Sequence, residues 1–386
     1  MALPSQAAAA ATRTETSVKY KLLYSFSGHR KNGTHPTAAL IAVKGTLYGP
    51  TFHGGGPQDL GTIFAMTTSG KETTLHRFSG YDGALPDGNL LYMNGRFYGT
   101  TEQGGSSGSC SGSYCGTVFS MTPSGKEAVL HSFAAPDGAE PEAGLVNDKG
   151  TLYGTTLYGG TKNGGTVFAI TTSGKEKVLY SFPGGPDGAR PTPDLINLNG
   201  TLYGTTQLGG TNGCGGSGCG VVFSITTSGK ETVQHAFAGG SDGADPTAGL
   251  TDLNGILYGT TLSGGGGCFS TSCGTVFSII PSGKEAVLHA FGGAGDGFSP
   301  YAGLTNVKGT LYGTTVNGGG AGGCSGYGCG TIFSITPSGK ETVLYSFERY
   351  GGMEPLGALL NLNGTLYGTT AYGGANGLGT VFSLTP

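Results

Sequence analysis

Charged and aromatic side chains that could do chemistry together flank a proline that recurs along the chain, at Pro36, Pro86, Pro141, Pro191, Pro246, Pro300 and Pro355. The residue before it is His35, Leu85, Glu140, Arg190, Asp245, Ser299 or Glu354. The residue after it is Thr37, Asp87, Glu142, Thr192, Thr247, Tyr301 or Leu356. Asp194 adds a carboxylate just beyond Pro191. Carboxylates held close raise one another's pKa and attract cations, and a pair can divide into proton donor and proton acceptor. The candidate ligand-binding residues are therefore His35, Asp87, Glu140, Glu142, Arg190, Asp194, Asp245, Tyr301 and Glu354, with Arg190 offsetting part of the acidic field. Charges often simply face water, and that plainer reading stands beside the functional one. No G-x-S-x-G, H-E-x-x-H, P-loop or dinucleotide fingerprint occurs, so no catalytic residue is assigned.

The cysteines fall in four C-x4-C pairs: Cys110/Cys115, Cys214/Cys219, Cys268/Cys273 and Cys324/Cys329. Local pairing in Gly/Ser-rich loops points to four short disulfides and an oxidising compartment. Zinc is the competing reading, but no histidine recurs near these loops, and no metal is assigned to them. Two other columns look chemical and have plainer explanations. His76, His131, His235 and His289 share a position with Tyr24, Tyr180 and Tyr345, which reads as packing or interface. Asp82, Asp137, Asp187, Asp242 and Asp296 each precede Gly. A turn whose side chain bonds its own backbone explains them more simply than a calcium ring.

What would gather the proline-flanking residues is the repeat. The stretch G-T-L-Y-G-T-T recurs with its tyrosine at 48, 98, 153, 203, 258, 312 and 367, at gaps of 50, 55, 50, 55, 54 and 55 residues. A period near 50 is the signature of a blade array. Each unit reads as four short strands rich in Val, Ile, Tyr, Phe and Thr, joined by Gly-containing turns, an antiparallel meander. In Val167-Phe168-Ala169-Ile170 there is no polar alternation, so both sheet faces must be covered by neighbours. Gly154 and its equivalents sit mid-strand, which fits close approach by an adjacent sheet. The chain ends on the third strand of unit seven, while residues 21–26 match the fourth strand at 342–347. The N-terminal strand then completes the last blade and leaves no open edge. The fold predicted is all-β: a seven-bladed β-propeller over residues 18–386, with residues 1–17 as a disordered segment.

The cysteine pairs lie between strands two and three, and account for the longer gaps. In a meander these loops share one face with the blade-to-blade links, while the tight turns share the other. The proline-flanking residues start the innermost strands, near the mouth of a central channel on the loop face. Long loops on a rigid scaffold tend to carry function.

The unit G-T-L-Y-G-T-T-x-x-G-G…G-T-V-F-S-I-T-P-S-G-K-E-x-V-L-H-S-F…D-G-x-x-P resembles the GloVer tandem repeat of secreted bacterial proteins, over residues 19–386. The resemblance implies export and surface display. No anchor is visible at the C-terminus, and no signal peptide in residues 1–17. The order P-x-x-L, L-Y, V-F, V-L is also similar to NHL-type propeller repeats, which bears on fold alone.

Charge is sparse at 11 %, with a net of −3, which argues against a nucleic-acid binder. No apolar run is long enough for a membrane span. The expectation is a monomeric, extracellular, cell-surface or periplasmic binding module, taking a protein or glycan ligand on the Cys-loop face. No cofactor is required, and the acidic mouth has the chemistry to take a divalent cation. The alternative is an extracellular lyase or hydrolase with its site at that mouth. The absence of Trp weakens a sugar-stacking lectin.

Overall fold

A computed structural model describes residues 18–28, 32–106, 115–192, 194–266, 273–293, 295–320, 324 and 326–386. It contains seven four-stranded antiparallel sheets, each in simple meander order. Blade three is typical: Val146–Asp148, Thr151–Thr156, Thr166–Thr171 and Glu176–Ser181. Blade seven is assembled from both ends of the chain. Leu360–Leu362, Thr365–Thr370 and Thr380–Thr385 are joined by Lys19–Ser25, whose register runs from Lys19 opposite Thr385 to Ser25 opposite Thr380. The seven-bladed ring closed by its N-terminal strand is thus observed. Residues 1–17, expected to be disordered, lie outside the described residues.

The glue between blades is aromatic. The Phe that directly follows each fourth strand meets the third-strand Phe of the next blade edge to face. Phe133 lies 5.0 Å from Phe168 and Phe182 lies 5.1 Å from Phe223; the closing contact, Phe26 to Phe64, is 5.5 Å. The same pair recurs at all seven interfaces. Burying each ring contributes about 1.5–3 kcal/mol, and the edge-to-face geometry adds about 0.5–1.5 kcal/mol. Buried clusters accordingly join consecutive blades rather than filling one centre.

One sequence expectation needs correction. Gly154 does make room for a close approach, but not by an adjacent sheet. A Cβ there would lie 2.7 Å from the ring of Phe168, its own cross-strand partner, and 2.9 Å from Leu145. Glycine lets the aromatic lie flat across its own blade. The first strand of this blade is short, with pairing confined to Val146–Asp148. The residues before it have no ladder partner, because they leave the sheet to form the channel mouth.

Every fourth strand carries a bulge. In blade two Val118 pairs with His131 but Phe119 pairs with Val129, so Leu130 is skipped. Its carbonyl abuts the next blade's turn, where a Cβ on Gly174 would come within 2.4 Å of it. This explains a glycine at that turn, where φ is +88°. The bulge also re-aims the following residue, the His/Tyr column, toward the interface.

Candidate binding site at the channel mouth

The first strands of neighbouring blades touch around the axis. The segments leading into them enclose a cavity of about 260 Å³. All seven residues that follow the recurrent proline line it: Thr37, Asp87, Glu142, Thr192, Thr247, Tyr301 and Leu356. The wall therefore changes chemistry from blade to blade although its backbone repeats. Asp194 and Asn89 also line it.

The residue before each proline is held differently. All seven have positive φ, from 54° at His35 and Asp245 to 58° at Arg190 and Ser299. Few side chains favour this region, and a following proline disfavours helical backbone further. Two backbone bonds hold the conformation. Glu140 donates its N–H to the Cys115 carbonyl at 3.0 Å, and its own carbonyl accepts the Leu157 N–H at 3.0 Å. The same two bonds hold Asp245, through Cys219 and Leu262, and Glu354, through Cys329 and Ala371. In the Cys-loop blades the second cysteine thus pins the link. Cys115, Cys219, Cys273 and Cys329 are all buried. Cys214–Cys219 and Cys324–Cys329 are bridged, with Cα atoms 5.4 and 5.5 Å apart. Cys110 and Cys268 lie outside the described residues.

The sequence-predicted residues divide accordingly. Asp87, Glu142, Asp194 and Tyr301 meet at the cavity. Glu140 joins Glu142 and Glu102, with ligand atoms of all three within 4.8 Å of one another. His35, Arg190, Asp245 and Glu354 are not part of the cavity wall. His35 packs edge-on against Tyr372 at 4.9 Å and His53 at 5.4 Å. Arg190 places its guanidinium 5.3 Å over the Tyr158 ring. Among the described residues it makes no ion pair, so the offset expected from it is not seen. Asp245 and Glu354 are partly buried, and burial raises both carboxyls.

Asp194 is a strut as well as a cavity group. Its carboxylate accepts the Asn89 side-chain amide and the Gly144 N–H, while Asn89 Oδ1 accepts the Ala39 N–H at 2.7 Å. One chain of bonds thus ties the leads of blades one to four. Asp87 accepts the Thr37 hydroxyl. Thr192 and Thr247 hydroxyls are buried at the cavity with no hydrogen-bond partner among the described residues.

Electrostatically the mouth is poised against ionisation. Burial, reinforced by Asp87, Glu102 and Glu140, pushes Glu142 up to about 8. Burial, with Asp87 and Glu140, pushes Glu102 up to about 7. Burial also raises Asp87, with Asp194 adding repulsion. Tyr301 keeps 37 % of its surface exposed, yet enclosure in the mouth lifts its phenol, with Asp87 and Glu142 adding. Glu102 and Asn89 were missed by the sequence reading. Glu102 is the one acid in a column otherwise occupied by Phe52, Leu157, Gln207, Leu262, Val316 and Ala371.

A closed ring of repeated blades with one irregular mouth defines a tandem-repeat propeller. The chain belongs to the Gloeobacter/Verrucomicrobia repeat family, whose model matches residues 9–217, 111–326 and 212–386. No curated protein matches the sequence. Among solved structures it is similar to PorZ, an essential bacterial surface component of the type-IX secretion system of Porphyromonas gingivalis. The TM-score is 0.54 at 14 % identity, covering 90 % of this chain and 46 % of that one. It is also similar to a luciferin-regenerating enzyme (TM-score 0.48, 12 % identity, 96 % of both chains) and a gluconolactonase from Xanthomonas campestris (0.41, 13 %, 70 % of this chain and 78 % of that one). The likeness to PorZ shows the fold alone.

Proposed function

We propose that this chain is a secreted or cell-surface binding propeller whose protein or glycan ligand places a basic or hydrogen-bond-donating group in the acidic mouth. The observation that carries this reading is a cavity lined by three carboxyls, Asp87, Glu142 and Asp194. Carboxyls gathered in one concave site attract a cation, and a ligand bringing an ammonium group offsets their mutual repulsion. The disulfides fit an oxidising compartment, and no helix among the described residues is long and apolar enough to cross a membrane. The ligand cation competes with protons held by Glu142 and Glu102, so affinity rises with pH through about 7 and 8. Calorimetric titration with chitosan oligosaccharide and with a lysine-tipped peptide tests this. Binding of either should weaken at least about tenfold, about 1.4 kcal/mol, in Glu142→Gln. Affinity unchanged in both Glu142→Gln and Glu140→Gln would place the ligand elsewhere.

A second reading follows from the same raised carboxyls. A glutamic acid held near neutrality beside another carboxyl is the arrangement used for proton transfer to a leaving group. On this reading Glu142 is the acid of a lyase or hydrolase. It requires turnover of a glycoside or lactone that Glu142→Gln abolishes while leaving binding intact.

A further inference from the structure

At the outer rim, each blade interface brings together three side chains: one following the fourth-strand bulge, one in the link, and one starting the next blade's fourth strand. Between blades two and three these are His131, Asp137 and Glu176. Asp137 is fixed by its own link, its Oδ1 accepting the Ala134 N–H at 2.7 Å, and its Oδ2 lies 3.0 Å from His131 Nε2. Glu176 arrives from the other blade with its Oε1 buried and without a partner among the described residues. One ligand atom from each of the three lies within 4.8 Å of the others. The arrangement recurs around His76, His235 and His289, with nitrogen-to-carboxylate separations of 3.1, 3.3 and 3.1 Å.

An imidazole and two carboxyls from neighbouring blades converge here, and burial, with Asp137 adding and His131 opposing, pushes Glu176 up to about 7, a proton that a bound cation would displace. Ligand atoms of one tetrahedral zinc at bonds of about 2.1 Å are about 3.4 Å apart, so the His–Asp pairs here, at 3.0 to 3.3 Å, need open by only a few tenths of an ångström to share an ion. Imidazole favours ions such as zinc over calcium or magnesium. His131 and Asp137 keep 20 % and 26 % of their side chains exposed, so an ion can enter from solvent and complete its shell with water. The remaining interfaces differ as a control should. Tyr24, Tyr180 and Tyr345 stand where histidine would, and beside Tyr345 the glutamate position is also lost, to Tyr20, whose ring stacks on it at 3.9 Å.

We propose that the four histidine-bearing interfaces are binding sites for a divalent cation of the zinc class, each fastening two neighbouring blades. The sites are separate from the channel mouth, and the inference does not rest on the proposed function. Because an ion bound only by the folded ring stabilises it by mass action, zinc raises the melting temperature.

The test uses the full chain, stripped with chelator and titrated with zinc, with bound metal counted after dialysis. The expected count is four, falling by one with His131→Tyr and to zero when all four histidines become Tyr. Tyr already occupies this position at three interfaces, so these variants retain the fold, and only the zinc-induced rise in melting temperature disappears. Nitrogen-15 spectra of the parent chain give a second reading that needs no variant: zinc shifts the imidazole signals of the four rim histidines and leaves those of His35 and His53. No zinc retained, a count that does not fall with the histidines replaced, or unmoved rim imidazoles would overturn the proposal.

Discussion

The blade interfaces and the channel mouth obey opposite rules. At the interfaces the same Phe pair, the same bulge and the same glycines recur, because each blade must fit the next on both sides. At the mouth the backbone recurs but the residue after the proline runs through Thr, Asp, Glu, Tyr and Leu. A ring held together from its interfaces leaves the mouth free to vary: Asp194 doubles there as a strut between the leads, while burial disfavours the charged forms of Glu142 and Glu102. Stability and recognition are thus housed in different columns of one repeat.

Substitutions at the two places should separate cleanly. The largest effect is expected at the closing interface. Phe26→Ala leaves a cavity against Phe64 and should cost about 3–5 kcal/mol by denaturant unfolding; deleting residues 1–26 should cost more, since blade seven loses its fourth strand. A change below about 1 kcal/mol would mean the ring does not depend on that strand. Next, Gly154→Ala forces the Phe168 ring aside and should cost about 1–3 kcal/mol, whereas Gly150→Ala, where a Cβ meets nothing within 4 Å but φ is +90°, tests backbone strain alone.

The effect at the mouth depends on pH. The folded pKa of Glu142, about 8, lies above its ordinary 4.5, so the fold binds its proton more tightly than the unfolded chain does. Its contribution is fully present below about pH 4.5 and is lost as pH rises through 8. Glu142→Gln should therefore melt close to the parent at pH 5 and above it at pH 8.5. A parent that gains stability over that interval relative to the variant would contradict the burial of this carboxyl.

How much was legible follows from the same division. The blade count and closure were readable because the repeat is long and its last copy is split between the two termini. The column after the proline was readable because it is where near-identical repeats disagree. Glu102 was not, since it lies some fifteen residues from its proline and reaches Glu140 only once neighbouring blades close. The left-handed backbone at Glu140 and Arg190 was not either: neither residue favours it, and it is imposed by bonds to Cys115 and Gly164 of the preceding blade. The partner of the mid-strand glycines was misassigned because sequence registers a missing side chain, not which ring fills the gap.

The mouth is tested most directly by titrating its carboxyls by carbon-13 NMR on the unliganded chain. Glu142 should titrate near pH 8 and Glu102 near 7, assigned through Glu142→Gln and Glu102→Gln, and both should move down when a lysine-tipped peptide binds. Ordinary titration of both near pH 4.5, unmoved by the peptide, would show an acidic rim that merely faces water.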